Sequence, residues 1–304
     1  MKVEVFAPAK INLALHVTGL REDGYHLLDT LVAFADIGDR ITIDTSAFPT
    51  SLEVTGPEAV TELASDRNIV LQVAERFTRT GLSLSMQLEK NLPLASGMGG
   101  GSADAAATYR GLLRLWAAVD AQDTPRDPTA EDARALLAIG ADVPMCVTSE
   151  PARVRGIGEQ IEPVSDLHPY PIVLVNPRVK VSTPSVFNGL ACKNNPGLDP
   201  WPANFENRDA VLDWLAAQRN DLEAPAIANC PAIADALSAL VQTRNCRLAR
   251  MSGSGATCFG LFDRVHKAEA AAGAIRAAYP QWWVQSGRLS GGRRAAPQLI
   301  RATT

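Results

Sequence analysis

Polar and apolar residues alternate through much of the first ninety positions of the chain. Val3–Ala7 (VEVFA), Ile11–Val17 (INLALHV), Arg40–Asp44 (RITID), Ser51–Gly56 (SLEVTG) and Leu82–Glu89 (LSLSMQLE) place every second side chain on one face. That is the period of half-buried strands. Asn68–Thr80 instead has helical spacing, with Ile69, Val70, Val73, Ala74 and Phe77 on one stripe. Asn68 stands where an N-cap belongs and Gly81 where the helix must stop. An alanine- and leucine-rich run from Ser102 predicts another helix, and Thr129–Gly140 a third with a threonine cap.

The second half changes character. Tyr170–Pro177 (YPIVLVNP) is a continuous apolar run, the mark of a strand buried on both faces. Gly189–Asn207 is rich in Gly, Pro and Asn and reads as a loop. Helices are predicted at Arg208–Gln218, Ala232–Thr243 and Val265–Tyr279. Cys246–Phe262 reads as strand, glycine turn, strand, and Trp282–Ser286 as a last strand. The tail after Leu289 reads as loose. Strands that precede helices without regular alternation predict an α+β architecture in two lobes. The expected division is 1–160 and 161–304, and no internal repeat is visible.

Composition narrows the picture. A chain of 304 residues with 46% hydrophobic and 20% charged residues buries a large core. The net charge of -4 argues against a general binder of nucleic acid or membrane surfaces. The five cysteines (Cys146, Cys192, Cys230, Cys246 and Cys258) are odd in number and form no C-x-x-C pair. They read as reduced, mostly buried small residues and not as disulfide or metal ligands. MKVEVFAPAK lacks the apolar core of a signal peptide, and no apolar run approaches the roughly 20 residues of a membrane span. A cytoplasmic protein, monomeric or weakly dimeric, is the expectation.

The stretch Pro93–Tyr109 (PLASGMGGGSADAAATY) concentrates glycines at the start of a helix, where they are poor formers. A turn and a cap would need one or two. The P-loop pattern fails because no lysine follows, and the dinucleotide pattern fails because its third glycine is absent. A phosphate cradle of another type remains. Glycines let backbone N–H groups approach an anion, and the helix N-terminus adds its dipole. Ser96 and Ser102 could donate hydroxyls. Lys90 either reaches phosphate or is a solvated surface lysine, and Asp104 reads as a first-turn residue favouring the dipole.

Pro93-x-x-x-Gly97-Met98-Gly99-Gly100-Gly101-Ser102-Ala103-x-Ala105 resembles the ATP-binding motif of the GHMP kinase superfamily. Pro8–Val17 resembles its first motif, and Met251–Phe262 its third, a glycine turn that helps close the phosphate site. Within the superfamily, Pro8–Leu31, Gly140–Val147 and Val181–Phe187 are similar to the branch that phosphorylates a cytidyl diphosphate derivative of methylerythritol. The resemblance implies a two-lobed GHMP kinase fold with the active site in the cleft between lobes. It implies ATP as co-substrate with Mg²⁺, and a small-molecule acceptor carrying cytidyl diphosphate. Pro93, Leu94, Ala95, Ser96, Gly97 and Met98, with Gly99, Gly100, Gly101, Ser102 and Ala103, would hold the nucleotide.

On its own Asp142 reads as a turn former, Lys10 as a snorkelling lysine, and Tyr25 and Phe187 as core aromatics. The resemblance implies other roles. Asp142 would be the base that takes the acceptor's proton, with Lys10 as its partner. Tyr25, His26 and Phe187 would enclose cytosine, and Asn12 and Thr183 would hold the methylerythritol portion. Magnesium would use a hydroxyl such as Ser102 and water. Two alternatives stay open: a homoserine or mevalonate type of GHMP kinase, and a nucleotide-binding protein without catalysis. Gly24-Tyr25-His26 argues against the first, and Lys10 with Asp142 against the second. Met98, where leucine is common, and the long 189–207 segment are mild departures.

Overall fold

The computed structural model describes residues 1–304 except 47, 66, 166, 203–204, 290–295 and 301–304. Two long strands, β1 (Lys2–Leu20) and β2 (His26–Ser46), form an antiparallel pair that runs through the molecule. The two alternating stretches Val3–Ala7 and Ile11–Val17 are therefore one strand. What joins them is a set of register shifts at Pro8/Lys10, Asn12/Ala14 and Val17/Gly19. Pro8 has no N–H to give the ladder, so the pairing slips there, and a slip re-aims the side chains that follow. The first half of β2 lies outside the predicted strands, because polar His26, Asp29 and Thr30 interrupt the alternation at its start.

β3 (Ser51–Thr55), β4 (Ser83–Glu89), β5 (Ala152–Gly156) and β6 (Gln160–Pro163) complete a seven-stranded sheet with a fifth partner at the edge of β1. That edge strand is β11 (Gln298–Ile300). The tail after Leu289 is thus not loose throughout, because it supplies hydrogen-bonding groups to an otherwise open strand edge. Helices α1 (Ile69–Phe77) and α2 (Gly100–Val119) cover the sheet, and Val5, Ile41, Leu84, Ala106 and Leu112 are among the side chains packed between. The Asn68 side chain caps α1 by accepting from Val70 N, as its position predicts. α3 (Ala130–Ile139) opens with a full capping box between Thr129 and Asp132.

A second, four-stranded sheet has the order β10–β7–β9–β8, from β7 (Pro171–Asn176), β8 (Leu248–Met251), β9 (Cys258–Leu261) and β10 (Trp283–Arg288). Every residue of β7 is buried, as its unbroken apolar run requires. α6 (Arg208–Ala217), α8 (Ala232–Val241) and α9 (Val265–Ala278) pack with this sheet, and Leu15 and Val17 of β1 enter the same core. Three short helices escape the periodicity: α4 (Val143–Thr148), α5 (Thr183–Asn188) and α7 (Glu223–Asn229). Six or seven residues hold too few turns to show a period. Among the described residues no helix is long and apolar enough to cross a membrane.

Candidate active site

The glycine stretch lies where the two sheets meet. Met98 is buried and its carbonyl accepts from Lys10 N at 2.9 Å. The Ser252 hydroxyl donates to Gly97 O at 2.9 Å, and Thr257 N to Ser96 O at 3.0 Å. The third motif therefore closes onto main-chain carbonyls of the second. Gly97 has φ +74°, and a Cβ there would lie 2.4 Å from Ser252 O. Gly99 has φ +61°, caps α2, and leaves room for the Lys10 stem, whose Cε a Cβ would meet at 3.3 Å. Gly97 and Gly99 are thus required by the fold. Gly100 and Gly101 are not: a Cβ on Gly101 meets nothing nearer than Ile69 at 3.9 Å. Both line a cleft of about 780 Å³, so a side chain there would take up space next to the N-terminus of α2.

α2 begins at Gly100, two residues before the predicted start. Asp104 accordingly sits beyond the first turn, and its role is not with the dipole. Lys90 is neither solvated nor free to reach outward. It is 2% exposed, and its ammonium donates to Asp39 Oδ2 at 2.5 Å and Asp104 Oδ2 at 2.7 Å. Asp39 Oδ1 also accepts from Asn91 N and Leu92 N, at 2.6 and 2.9 Å. Burial works against the Lys90 charge, but Asp104 and Asp39 outweigh it and hold the ammonium above its ordinary value. Burial also pushes the Asp104 carboxyl well above the usual carboxylate range, with Lys90 pulling the other way. This ion cluster ties β2, the end of β4 and α2 together beneath the loop. The sequence holds no spacing signal for it, since its members are 51 and 14 residues apart.

Lys10 and Asp142 meet as expected. The Lys10 ammonium lies 2.6 Å from Asp142 Oδ2, on a side chain 7% exposed against 40% for the aspartate. Asp142 occupies the N-cap position of α4 without capping it, so its carboxylate is available to the cleft. Asn12 donates through Nδ2 to Thr30 Oγ1 at 2.9 Å, and Thr30 passes its own proton to Ala14 O at 2.6 Å. That chain fixes the amide orientation and leaves Asn12 Oδ1 buried with no partner among the described residues. The Thr183 hydroxyl lies 2.8 Å from Ser254 Oγ, which places the start of α5 against the third motif.

The aromatic residues share the same cleft. The His26 and Phe187 rings lie 4.7 Å apart at 33°, although 161 positions separate them in the chain. Burial, and then the nearby Lys193 charge, lower the His26 pKa below its ordinary 6.5, so its imidazole is neutral at pH 7. Tyr25 lines the cleft at its rim and is 59% exposed, so its ring is not a core aromatic. Every substrate-side and catalytic residue read from the sequence lines this one cleft: Lys10, Asn12, Tyr25, His26, Asp142, Thr183 and Phe187. Of the donor segment, Met98 and Ala103 are buried core residues behind it. Among the described residues there is no group of three or more His, Cys, Asp or Glu that could hold a metal ion.

Residues 68–150 match the model of the GHMP kinases N terminal domain, and 205–281 that of the GHMP kinases C terminal domain. The chain is 50% identical over 289 residues to a 4-diphosphocytidyl-2-C-methyl-D-erythritol kinase from Cereibacter sphaeroides, covering 95% of this chain and 99% of that one. A crystal structure of a 4-(cytidine 5'-diphospho)-2C-methyl-D-erythritol kinase superposes with a TM-score of 0.75 at 30% identity, covering 95% of this chain and all of the other. A homoserine kinase from Cytophaga hutchinsonii shares the fold, with a TM-score of 0.63 at 16% identity over 98% and 97% of the two chains.

Proposed function

This chain belongs to the 4-diphosphocytidyl-2-C-methyl-D-erythritol kinase family of GHMP kinases, and from that premise we infer how its own residues carry out the reaction. It is an ATP-dependent small-molecule kinase that phosphorylates a hydroxyl of 4-diphosphocytidyl-2-C-methyl-D-erythritol, giving the 2-phosphate, in the non-mevalonate route to isoprenoid precursors.

The observation that carries the site assignment is the Lys10–Asp142 pair at 2.6 Å, set in one cleft with the glycine loop and the His26–Phe187 rings. ATP phosphates would lie against Gly100, Gly101 and the first N–H groups of α2, which are a preformed positive pole. The acceptor alcohol would lie beside Asp142, which takes its proton as the new P–O bond forms. Lys10 holds that carboxylate in place and sets a positive charge beside the transferring phosphoryl group. The partnerless Asn12 Oδ1 would accept from a methylerythritol hydroxyl, and Thr183 would face the same portion. His26 and Phe187, with Tyr25 at the rim, would take the cytosine. Magnesium, brought with the nucleotide, would keep most of its waters and use the Ser102 hydroxyl; bound there it would neutralise phosphate charge. On this reading residues 1–160 carry the donor loop and the base, while 161–304 contribute Thr183, Phe187 and the closing turn. One chain then suffices for a complete site.

A coupled ADP-release assay tests the assignment against methylerythritol, its cytidyl diphosphate derivative, homoserine and mevalonate. The expected result is turnover of the cytidyl compound alone. Comparable kcat/KM for homoserine or mevalonate would overturn the pocket assignment.

A further inference from the structure

Segment 189–200 has the composition of a loop and no helix or strand, yet residues of the sheet and of the turn at Arg219–Asp221 hold polar groups of Asn195, Pro196, Leu198 and Asp199. Asn195 N donates to Val17 O at 3.0 Å, and Asn195 Nδ2 to Asp221 Oδ2 at 3.1 Å. Pro196 O accepts from Arg219 Nη2 at 2.7 Å and lies 3.1 Å from His16 Nδ1. Since Arg219 N donates to His16 Nε2 at 3.2 Å, the buried ring carries its proton on Nδ1 and gives it to the segment. Leu198 N donates to Asp29 Oδ2 at 3.0 Å, while Arg153 donates to Leu198 O at 2.7 Å and Asp199 O at 3.1 Å. Asp29 and Arg153 are themselves joined by two hydrogen bonds, at 2.8 and 2.6 Å.

These anchors stand on strands that build the cleft. Leu15, Leu28, Thr30 and Val154 line it. Their chain neighbours His16, Asp29 and Arg153 point to the opposite face, because a strand alternates its side chains, and that is the face the segment covers. At its other end the segment continues directly from α5, which carries Thr183 and Phe187, and Leu190 packs into the same core as Phe187. It also brings the Lys193 ammonium close enough to act on His26.

We propose that segment 189–200 is the outer support of the acceptor pocket and that Asp29 and Arg153 are positioning residues for the cytidyl-bearing substrate. By pinning the segment they hold α5 and the cleft-facing side chains of β1, β2 and β5 in one arrangement. The inference rests on the functional reading above, and it assigns these residues no contact with substrate.

The test measures kcat and KM for both substrates in Arg153→Met, Arg153→Lys, Asn195→Ala and the double variant Asp29→Asn/Arg153→Gln. The expected result is an acceptor KM raised about tenfold in Arg153→Met and the double variant, with ATP KM and kcat at saturating acceptor within about twofold of wild type. Arg153→Lys should recover part of the loss, and Asn195→Ala should show a smaller rise of the same kind. A merely structural role would lower the active fraction without moving acceptor KM. If Arg153→Met fails to fold, the double variant, which leaves no buried carboxylate unpaired, and Asn195→Ala carry the test. An unmoved acceptor KM in the folded variants, or an equal rise in ATP KM, overturns the proposal. Wild-type turnover of the cytidyl substrate is read first. Its absence defeats the functional reading, whereas turnover with an unmoved acceptor KM in the variants defeats only this inference.

Discussion

On the proposed reading, the donor and acceptor sides of the cleft are built on different plans. The donor side is contiguous: one stretch, residues 93–103, makes the loop and the helix start, and its geometry is main chain. The acceptor side is assembled from distant pieces, with His26 from β2, Phe187 from α5, and a support drawn from segment 189–200. A main-chain anion site needs small residues in a row, so it leaves a readable trace. A side-chain pocket needs only that the fold bring a few residues together, and the fold alone records which.

The largest effect is expected at the point where both sides meet. Asp142→Asn removes the proton acceptor but keeps the shape, and kcat should fall about 10²–10⁴-fold, with ATP affinity nearly unchanged. Retention of more than about a tenth of wild-type kcat would show that Asp142 is not the base.

Next comes the donor side. A Cβ on Gly101 meets no protein atom closer than 3.9 Å, whereas Gly99→Val would press on Lys10 and disturb both functions. Gly101→Val should therefore fold normally and lose ATP affinity while the cytidyl substrate still binds. Calorimetric titration with an ATP analogue decides this, and unchanged affinity would place the phosphates elsewhere.

On the acceptor side, His26→Ala should weaken the cytidyl substrate roughly 5- to 150-fold, through about 1–3 kcal/mol for polar groups left unpaired. It should also relax the choice between cytidyl and uridyl analogues. Tyr25→Ala should weaken binding without altering that choice, because stacking is tolerant of the base. If kcat/KM ratios for the two bases stay at wild type in His26→Ala, His26 is structural.

The smallest effect concerns pH. Burial and Lys193 keep the His26 pKa below its ordinary value, so the neutral ring is the folded form at neutrality. Protonation is then favoured less in the folded state than in the unfolded one. Its stabilising contribution is present above the ordinary value of 6.5 and is lost as pH falls below it. Acceptor KM should be flat from neutrality upward and rise only in acid. Lys193→Met should move that rise to higher pH, read in the KM profile; an unshifted profile would remove Lys193 from the account.

Much of the donor side was legible in the sequence. The glycine run and the closing turn at Met251–Phe262 appear where expected, and the helix between them starts two residues early, at Gly100. Lys10 and Asp142 draw their proposed roles from family resemblance, since a lysine in an apolar strand and an aspartate two residues before a proline look ordinary by themselves. Lys90 was not legible, because burial between Asp39 and Asp104 depends on contacts 51 and 14 residues away. The 189–207 segment reads as a loop from its Gly, Pro and Asn content, and the backbone of 189–200 is indeed irregular. Composition reports the absence of a repeating hydrogen-bond pattern, but not the side chains of His16, Asp29 and Arg153 that replace it. The β11 pairing likewise has too few residues to show an alternation.

On the proposed mechanism, the cleft passes a phosphoryl group from the glycine loop to an alcohol of the cytidyl substrate across Asp142. Phosphorus NMR of the reaction mixture, with wild-type enzyme and with Asp142→Asn, tests it most directly. A new phosphomonoester resonance should grow in step with ADP for the wild type, with almost none for the variant at the same time. A phosphomonoester formed at the wild-type rate by Asp142→Asn, or ADP accompanied only by free phosphate in the wild type, would contradict it.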